Sequence, residues 1–234
     1  MSGENFSNKI NPYDLDELKK YFDPLVFQNL NDLTISEIRW IRLTIAFWDL
    51  SGFSELCKQL IDNQSNIISF LKEYFDEGAK IISDRKGILD KFIGDGIMAY
   101  FGDPGDDANN SPTEAIMAAL EFRENFQKIK ERYAKFWLSH HGKLIEVDLK
   151  CGIHTGYVFF GLLETERRKQ ITVIGHTVNL SSRLEKIATK NEITVSEELR
   201  NIAQNQFEFE PKEIEDQIKS FEDIKGVFKV VGRK

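Results

Sequence analysis

The chain has 234 residues, the size of one large domain or of one domain with an extension. Its 31 basic and 38 acidic residues give a net charge of −7, which argues against a nonspecific nucleic-acid binder. Two cysteines exclude a disulfide scaffold and a cysteine-rich zinc site. No apolar stretch approaches the roughly 20 residues of a membrane span, and the N-terminus lacks a signal peptide's apolar core. We therefore expect a cytoplasmic protein without a membrane span.

The first 40 residues differ in character from those that follow. Two short segments there, 14–21 and 23–30, predict a helical lead-in over residues 1–40. The rest, 41–234, predicts one domain that begins with a buried strand at Leu43–Leu50. This strand ends at Asp49 in a turn that opens into a helix.

Helices and pairs of strands alternate after this first strand. Amphipathic helices are predicted at Ser65–Ser83 and Thr113–Trp137. Hairpins are predicted at Ile88–Phe101, around Gly94-Asp95-Gly96, and at Val147–Leu163, around Thr155-Gly156. The remaining predicted elements are a strand at 171–174, a helix at 176–188, a strand at 193–195, a helix from 196, and strands near 207–209 and 227–231.

This order of elements predicts the fold class. Two hairpins in a helix-covered sheet favour an α+β fold of the ferredoxin-like βαββαβ type, with an antiparallel sheet, over a doubly wound parallel sheet. The glycine-rich phosphate loops of dinucleotide-binding and P-loop proteins are missing from the sequence.

Two aspartates occupy positions from which they could meet. Asp49 follows a buried strand, where an unpaired charge is costly, and Asp95 lies in the turn of a hairpin that could pair beside that strand. Two such carboxylates can share a pair of Mg²⁺ or Mn²⁺ ions, which also bind substrate phosphates. An aspartate in a Gly-Asp-Gly turn is more often a turn residue alone, so this interpretation depends on both aspartates.

The turn after Asp49 has two interpretations. The backbone N–H groups of a helix start could hold a polyphosphate, or the turn could be an ordinary cap. The residues concerned are Ser51, Gly52, Phe53 and Ser54.

Four segments resemble the signature segments of the catalytic domains of class III nucleotidyl cyclases, and they occur in the family's order. They are LTIAFWDLSGF, ILDKFIGDGIMAYFG, LKCGIHTGYVFFG and TVIGHTVNLSSRLE. The resemblance covers about residues 41–231. It implies a ferredoxin-like fold that works as a head-to-tail homodimer with two shared active sites. It also implies an enzyme that converts a nucleoside triphosphate to a 3′,5′-cyclic nucleotide, a messenger for a downstream effector, and pyrophosphate.

The resemblance gives the two aspartates a specific role. Asp49 and Asp95 resemble the family's metal ligands for two divalent cations, Mg²⁺ or Mn²⁺, and the Leu50 carbonyl resembles a further ligand. Lys91 and Thr172 resemble the base-selecting pair of a bacterial Lys/Thr subgroup.

Three further residues match the family's substrate contacts. Asn179 resembles the residue that positions the ribose, and Arg183 resembles the arginine that stabilises charge on phosphorus in the transition state. The two are four apart on a predicted helix and so share a face. Lys225 resembles a lysine that touches the triphosphate. In the family dimer one chain gives the metal carboxylates, and its partner gives the lysine, threonine, asparagine and arginine.

The base of the substrate stays open between alternatives. The Lys91–Thr172 pair resembles adenylate-selective members, which favours ATP. A chain that is nearly all catalytic domain is similar to the pyrimidine cyclases of bacterial anti-phage defence, which make cyclic UMP or cyclic CMP. Bulky residues could narrow a base pocket, or could simply be core. They are Trp48, Tyr157, Phe159 and Phe160.

Proteins of other classes remain as alternatives. One is a catalytically inactive cyclase fold used for dimerisation, which would be expected to lack one of the polar residues named above. Another is a palm-type polymerase or diguanylate cyclase, which the hairpin sequence FIGDGI disfavours because it departs from a GGDEF-like turn.

Overall fold

The computed structural model describes residues 38–102, 111–142, 144–166, 169–213 and 226–234. The predicted helices at 14–21 and 23–30, and Lys225, lie outside the described residues. The described part of the chain contains these elements: β1 Arg39–Ser51, α1 Phe53–Gln59, α2 Gln64–Asp84, β2 Gly87–Ile93, β3 Gly96–Phe101, α3 Ser111–His141, β4 Asp148–Glu164, β5 Lys169–Ile174, α4 His176–Ile187, β6 Ile193–Ser196, α5 Glu197–Ala203, β7 Phe207–Pro211 and β8 Val227–Arg233.

The strands form one sheet in the order β2-β3-β1-β4-β6-β8-β7, with β5 paired to β4. The pairing of β4 with β6 is parallel, and the other pairings are antiparallel. Strand β1 is central, because its whole length pairs with β4 and its second half also pairs with β3. The mixed α+β architecture with an antiparallel-rich sheet confirms the predicted fold class.

Apolar side chains fill both faces of the sheet. The larger cluster lies between the sheet and helices α2 and α3, and Trp48, Phe70 and Phe122 are fully buried in it. A smaller cluster on the other face includes Tyr100 and Phe160. Consecutive residues of β1 alternate between these clusters, as a strand buried on both faces requires.

The prediction of a hairpin around Thr155-Gly156 is wrong. Asp148–Glu164 is one continuous strand, β4, and Gly156 pairs with Leu43 in the middle of it. The glycine provides space for packing rather than a turn, because a Cβ at Gly156 would lie 2.6 Å from the hydroxyl oxygen of Thr177. The chain reverses beyond Glu164 instead, and β5 pairs back along β4.

The other predicted elements are confirmed within a few residues at their ends. The first strand is longer than predicted, since it begins at Arg39 rather than Leu43. Among the helices of the described ranges, none is long and apolar enough to cross a membrane.

Candidate active site

The two predicted metal ligands lie next to each other. Asp49 is near the end of β1, and Asp95 is in the turn between β2 and β3. The backbone N–H of Leu50 donates to the carboxylate of Asp95. A Cβ at Gly96, the residue after Asp95, would lie only 3.7 Å from Oδ1 of Asp49. Burial, and then the negative charge of Asp49, raise the pKa of Asp95 above its ordinary value. The two carboxylates therefore repel each other across a short gap.

A lysine that the sequence analysis did not single out lies beside this pair. Lys150 pairs with Asp49 in the register of β1 and β4, and its Nζ is 3.1 Å from Oδ2 of Asp49. The same Nζ lies 2.7 Å from Oε1 of Glu185 on α4. We call Asp49, Asp95, Lys150 and Glu185 the carboxylate cluster. An antiparallel pairing of β1 with β4 places Lys150 opposite Asp49. The predicted turn at Thr155-Gly156 divided β4 in two, so this pairing was not predicted.

Two carboxylates of the cluster, Asp49 and Asp95, are the candidates for holding divalent cations. The Lys150 ammonium contacts two of the three carboxylates, and the Asp49 side chain is 33% exposed, so solutes can reach it. Among the residues that the structure describes, no three His, Cys, Asp or Glu side chains form a ready metal site. Cations held by Asp49, Asp95 and the Leu50 carbonyl would therefore complete their shells with water and phosphate oxygens, as Mg²⁺ commonly does.

The turn after Asp49 requires a glycine. Gly52 has φ +91°, a left-handed conformation, and a Cβ there would lie 2.4 Å from the carbonyl oxygen of Glu146. Helix α1 begins at Phe53, and the Gly52 carbonyl accepts from the N–H groups of Glu55 and Leu56. The turn therefore comes directly after Asp49 and Leu50 in the chain. Contact of its residues with a polyphosphate stays a prediction; they are Ser51, Gly52, Phe53 and Ser54.

The predicted base-selecting residues are also in contact. The Lys91 ammonium donates to the Thr172 hydroxyl oxygen at 3.0 Å, which joins β2 to β5. Asp90, a residue that the sequence analysis did not single out, lies 2.9 Å from the same ammonium and accepts from the Thr172 hydroxyl at 3.0 Å. We call Asp90, Lys91 and Thr172 the lysine cluster.

Helix α4 carries the other two predicted residues. It buries Leu180, Ser181 and Leu184, and the Ser181 hydroxyl donates to the Ile45 carbonyl at 2.9 Å. Asn179 is exposed and Arg183 half-buried, one helical turn apart as predicted. The close approach of α4 to the sheet depends on Gly152, where a Cβ would lie 2.0 Å from the backbone nitrogen of Glu185.

The aromatic residues weighed for a base pocket divide into two groups. Trp48 is 1% exposed and packs against Phe122, and Phe160 is 4% exposed, so both belong to the core. Tyr157 and Phe159 are exposed and contact Trp40 near the other end of β1 from Asp49.

Comparisons with known proteins relate the chain to one family. Residues 38–228 match the family described as adenylate and guanylate cyclase catalytic domain. The terminal-differentiation specific adenylate cyclase of Dictyostelium discoideum is 31% identical over 182 residues, which are 74% of this chain and 8% of that protein. The adenylate cyclase of Anabaena cylindrica is 29% identical over 168 residues, which are 71% of this chain and 31% of that protein. The chain thus spans less than a third of either relative.

A solved structure shows the same fold. The adenylyl cyclase CyaB from P. aeruginosa superimposes with a TM-score of 0.75 at 28% identity, and the match covers 85% of this chain and 97% of that one. Sequence and fold therefore agree over most of the chain, which belongs to the family of class III adenylate and guanylate cyclase catalytic domains.

Proposed function

We propose that the protein is a nucleotidyl cyclase that converts a nucleoside triphosphate to a 3′,5′-cyclic nucleotide and pyrophosphate. The ribose 3′-oxygen bonds to the α-phosphorus, the bond from that phosphorus to the pyrophosphate oxygen breaks, and the hydroxyl proton passes to solvent. The observation that carries this proposal is the approach of Asp49 and Asp95 in a chain of this family.

Asp49, Asp95 and the Leu50 carbonyl would hold two divalent cations, Mg²⁺ or Mn²⁺. Bound there, the cations would lower the pKa of the 3′-hydroxyl and neutralise the phosphates. The chain's own residues supply positioning and charge. Asn179 orients the ribose, and the Arg183 guanidinium stabilises the charge that develops on the phosphate oxygens, for which its planar fork is well suited.

A head-to-tail homodimer completes each site in this proposal. The carboxylate cluster of one protomer faces the lysine cluster, Asn179 and Arg183 of its partner. Lys225 and the backbone of 51–54 contribute to binding of the triphosphate. The catalytic domain comprises residues 41–234 and follows the lead-in of residues 1–40. The need for nucleoside triphosphates places the protein in the cytoplasm, with a cyclic-nucleotide-binding effector downstream.

ATP is the proposed substrate, on the strength of the Lys91–Thr172 pair. The alternative is a pyrimidine triphosphate, UTP or CTP, in a defence role. The burial of Trp48 in the core removes one of the reasons for that alternative. A second alternative is an inactive dimerisation module.

Incubation of the purified chain with Mn²⁺ and with ATP, GTP, CTP or UTP separately tests the reaction, with products identified by mass. We expect cyclic AMP from the wild type and from Asp84→Asn, a control at an exposed site, and none from Asp49→Ala. Cyclic UMP or cyclic CMP would move the substrate to a pyrimidine. No product from any triphosphate, with Mg²⁺ as well as Mn²⁺, would favour the inactive module.

Mixed dimers test the shared site. Asp95→Ala and Arg183→Ala should each abolish turnover, but a heterodimer of the two variants retains one intact site. We expect mixing to restore up to about half of the wild-type rate per heterodimer, because one of two sites is complete. Verified heterodimers without any recovered turnover would contradict the head-to-tail arrangement.

A further inference from the structure

The lysine cluster is a closed triangle of polar contacts. Each of its three groups lies within 3.0 Å of the other two: Lys91 Nζ to Thr172 Oγ1 at 3.0 Å, Lys91 Nζ to Asp90 Oδ2 at 2.9 Å, and Thr172 Oγ1 to the same Oδ2 at 3.0 Å. The Asp90 side chain is 1% exposed, whereas that of Lys91 is 32% exposed. Asp90 is therefore the buried corner of the triangle, and Lys91 is its open corner.

A β-bulge makes this triangle geometrically feasible. Neighbouring residues of a regular strand point to opposite faces, so Asp90 and Lys91 would not both reach Thr172. The pairing of β2 with β3 slips between Leu89 and Lys91, so that Asp90 is the extra residue. Bulges re-aim side chains in this way. Here the irregularity brings the carboxylate and the ammonium to the same hydroxyl.

The chemistry of the three groups fixes the direction of each hydrogen bond. A lysine ammonium has three donors and no acceptor, so it cannot accept the hydrogen of the Thr172 hydroxyl. That hydrogen goes to the Asp90 carboxylate, in a bond that the negative charge strengthens. Thr172 keeps one free lone pair, and Lys91 keeps one free N–H. The pair thus offers a base one acceptor, on Thr172, and one donor, on Lys91.

We propose that Asp90 is a positioning residue that fixes Thr172 as a hydrogen-bond acceptor, so that the Lys91–Thr172 pair selects a base with an amino group beside a ring nitrogen acceptor. This inference rests on the proposed function. Adenine and cytosine have that edge. Guanine and uracil, in the same pose, place a carbonyl oxygen against the Thr172 lone pair. The expected substrates are therefore ATP and CTP in preference to GTP and UTP.

Binding of 3′-deoxynucleoside triphosphates tests this selection, because they lack the attacking hydroxyl and cannot be cyclised. Calorimetry of the full chain with Mn²⁺ compares the adenine, guanine, cytosine and uracil forms. For the wild type we expect a preference of roughly tenfold or more for adenine over guanine and for cytosine over uracil, the effect of one mismatched buried hydrogen bond. Asp84→Asn should keep both ratios.

Because guanine and uracil still present a ring N–H to the Lys91 ammonium, both ratios should fall in Asp90→Asn without reaching one. Its amide N–H₂ can donate to Thr172, which frees the hydroxyl to donate to a carbonyl of the base. Each ratio compares ligands on one protein, so a general loss of stability does not imitate this result. Asp90→Asn should also change neither ratio further in a Thr172→Ala background, because Asp90 acts through Thr172. In turnover, Asp90→Asn should raise KM for ATP more than it lowers kcat.

Unchanged ratios in Asp90→Asn would overturn the inference, and so would a wild type that binds all four analogues equally or binds none. The outcome is separable from that of the proposed function. A wild type with the expected binding ratios but no cyclic product would refute the cyclase and leave the inference intact. A wild type that makes cyclic nucleotides without discriminating between amino and carbonyl bases would support the cyclase and refute the inference.

Discussion

The two polar clusters of this chain are linked by one hairpin but differ in their balance of charge. In the lysine cluster one carboxylate meets one ammonium, and a hydroxyl closes the triangle. In the carboxylate cluster three carboxylates surround Lys150, which contacts two of them. Burial raises the pKa of Asp95 and of Asp90, but the charge of Asp49 raises that of Asp95 further, whereas Lys91 and Thr172 act to lower that of Asp90.

This difference indicates what each cluster requires from outside the chain. The lysine cluster is compensated within one protomer, so it can present a fixed hydrogen-bond pattern before any ligand binds. The carboxylate cluster retains excess negative charge, and external cations would relieve it. Within one protomer Lys150 supplies positive charge to this cluster, and bound cations would add to it.

Removal of one carboxylate from the carboxylate cluster should have the largest effect on turnover. We expect Asp95→Asn to lower turnover by about 10³-fold or more, because a cation ligand is lost. The amide still accepts from the Leu50 N–H and no longer repels Asp49, so Tm without added metal should stay equal or rise. Steady-state rates and thermal unfolding measure both, with Asp84→Asn as the control. Turnover at the wild-type level would remove Asp95 from the metal site.

Loss of Lys150 should expose the excess charge directly. Lys150→Met leaves Glu185, with a 9% exposed side chain, without its ammonium, so we expect the free energy of unfolding to fall by about 3 kcal/mol. Saturating Mg²⁺ should stabilise this variant more than the wild type, because the cation replaces the missing charge. Urea unfolding with and without Mg²⁺ measures this difference.

The control for Lys150 is Lys72→Met. Lys72 pairs with Asp76 on the exposed surface of α2, where the loss should stay below about 1 kcal/mol. If Mg²⁺ stabilises the wild type and Lys150→Met equally, then the bound cation does not replace the positive charge of Lys150.

Sequence patterns predicted the parts of the site that depend on local order. Asp49 follows an apolar strand and Asp95 lies in a Gly-Asp-Gly turn, and the antiparallel pairing of β1 with β3 brings them together. Asn179 and Arg183 were singled out by the resemblance to the cyclase family, and the helical period adds only that they share a face. The placement of the two aspartates follows from neighbours in the chain, so a single sequence contains it.

The parts that the sequence did not reveal depend on long-range register. The break at Thr155-Gly156 was predicted because glycine commonly marks a turn, but there it accommodates Thr177 from another element. Lys150 and Asp90 gain their partners through strand pairing and through a bulge. Local pattern gives no signal for either, because an isolated charged residue in a strand resembles an ordinary solvent-facing one.

A buried histidine limits the pH range in which the clusters can be compared. Burial lowers the pKa of His154 from 6.5 to about 4, and its ring is 2.7 Å from the Ser196 hydroxyl. The unfolded chain therefore takes up this proton between pH 6.5 and 4, while the folded chain does not. The contribution of His154 to the free energy of unfolding is fully present above pH 6.5 and is lost as the pH falls. The expected loss between pH 7 and pH 5 is about 2 kcal/mol.

His154→Gln tests this assignment, because glutamine does not titrate. Urea unfolding at pH 7 and pH 5 should show a smaller loss in the variant than in the wild type. His140→Gln, at an exposed position near the end of α3, should keep the wild-type loss. If His154→Gln loses as much stability as the wild type, the acid sensitivity arises elsewhere and activity profiles must be corrected for it.

The smallest expected effect concerns the turn that joins the clusters, since Lys91 and Asp95 lie four residues apart on the β2–β3 hairpin. Gly94 has φ +64° and open space around a Cβ, so Gly94→Ala should cost about 1 kcal/mol of stability through backbone strain alone. Gly142 has the same φ and the same open space after α3, which makes Gly142→Ala a matched control. If the hairpin only holds the clusters in register, both variants should lose similar stability and keep turnover within about threefold. A much larger loss of turnover in Gly94→Ala alone would show that the turn itself must move when substrate binds, and the two clusters would then be coupled rather than independently arranged.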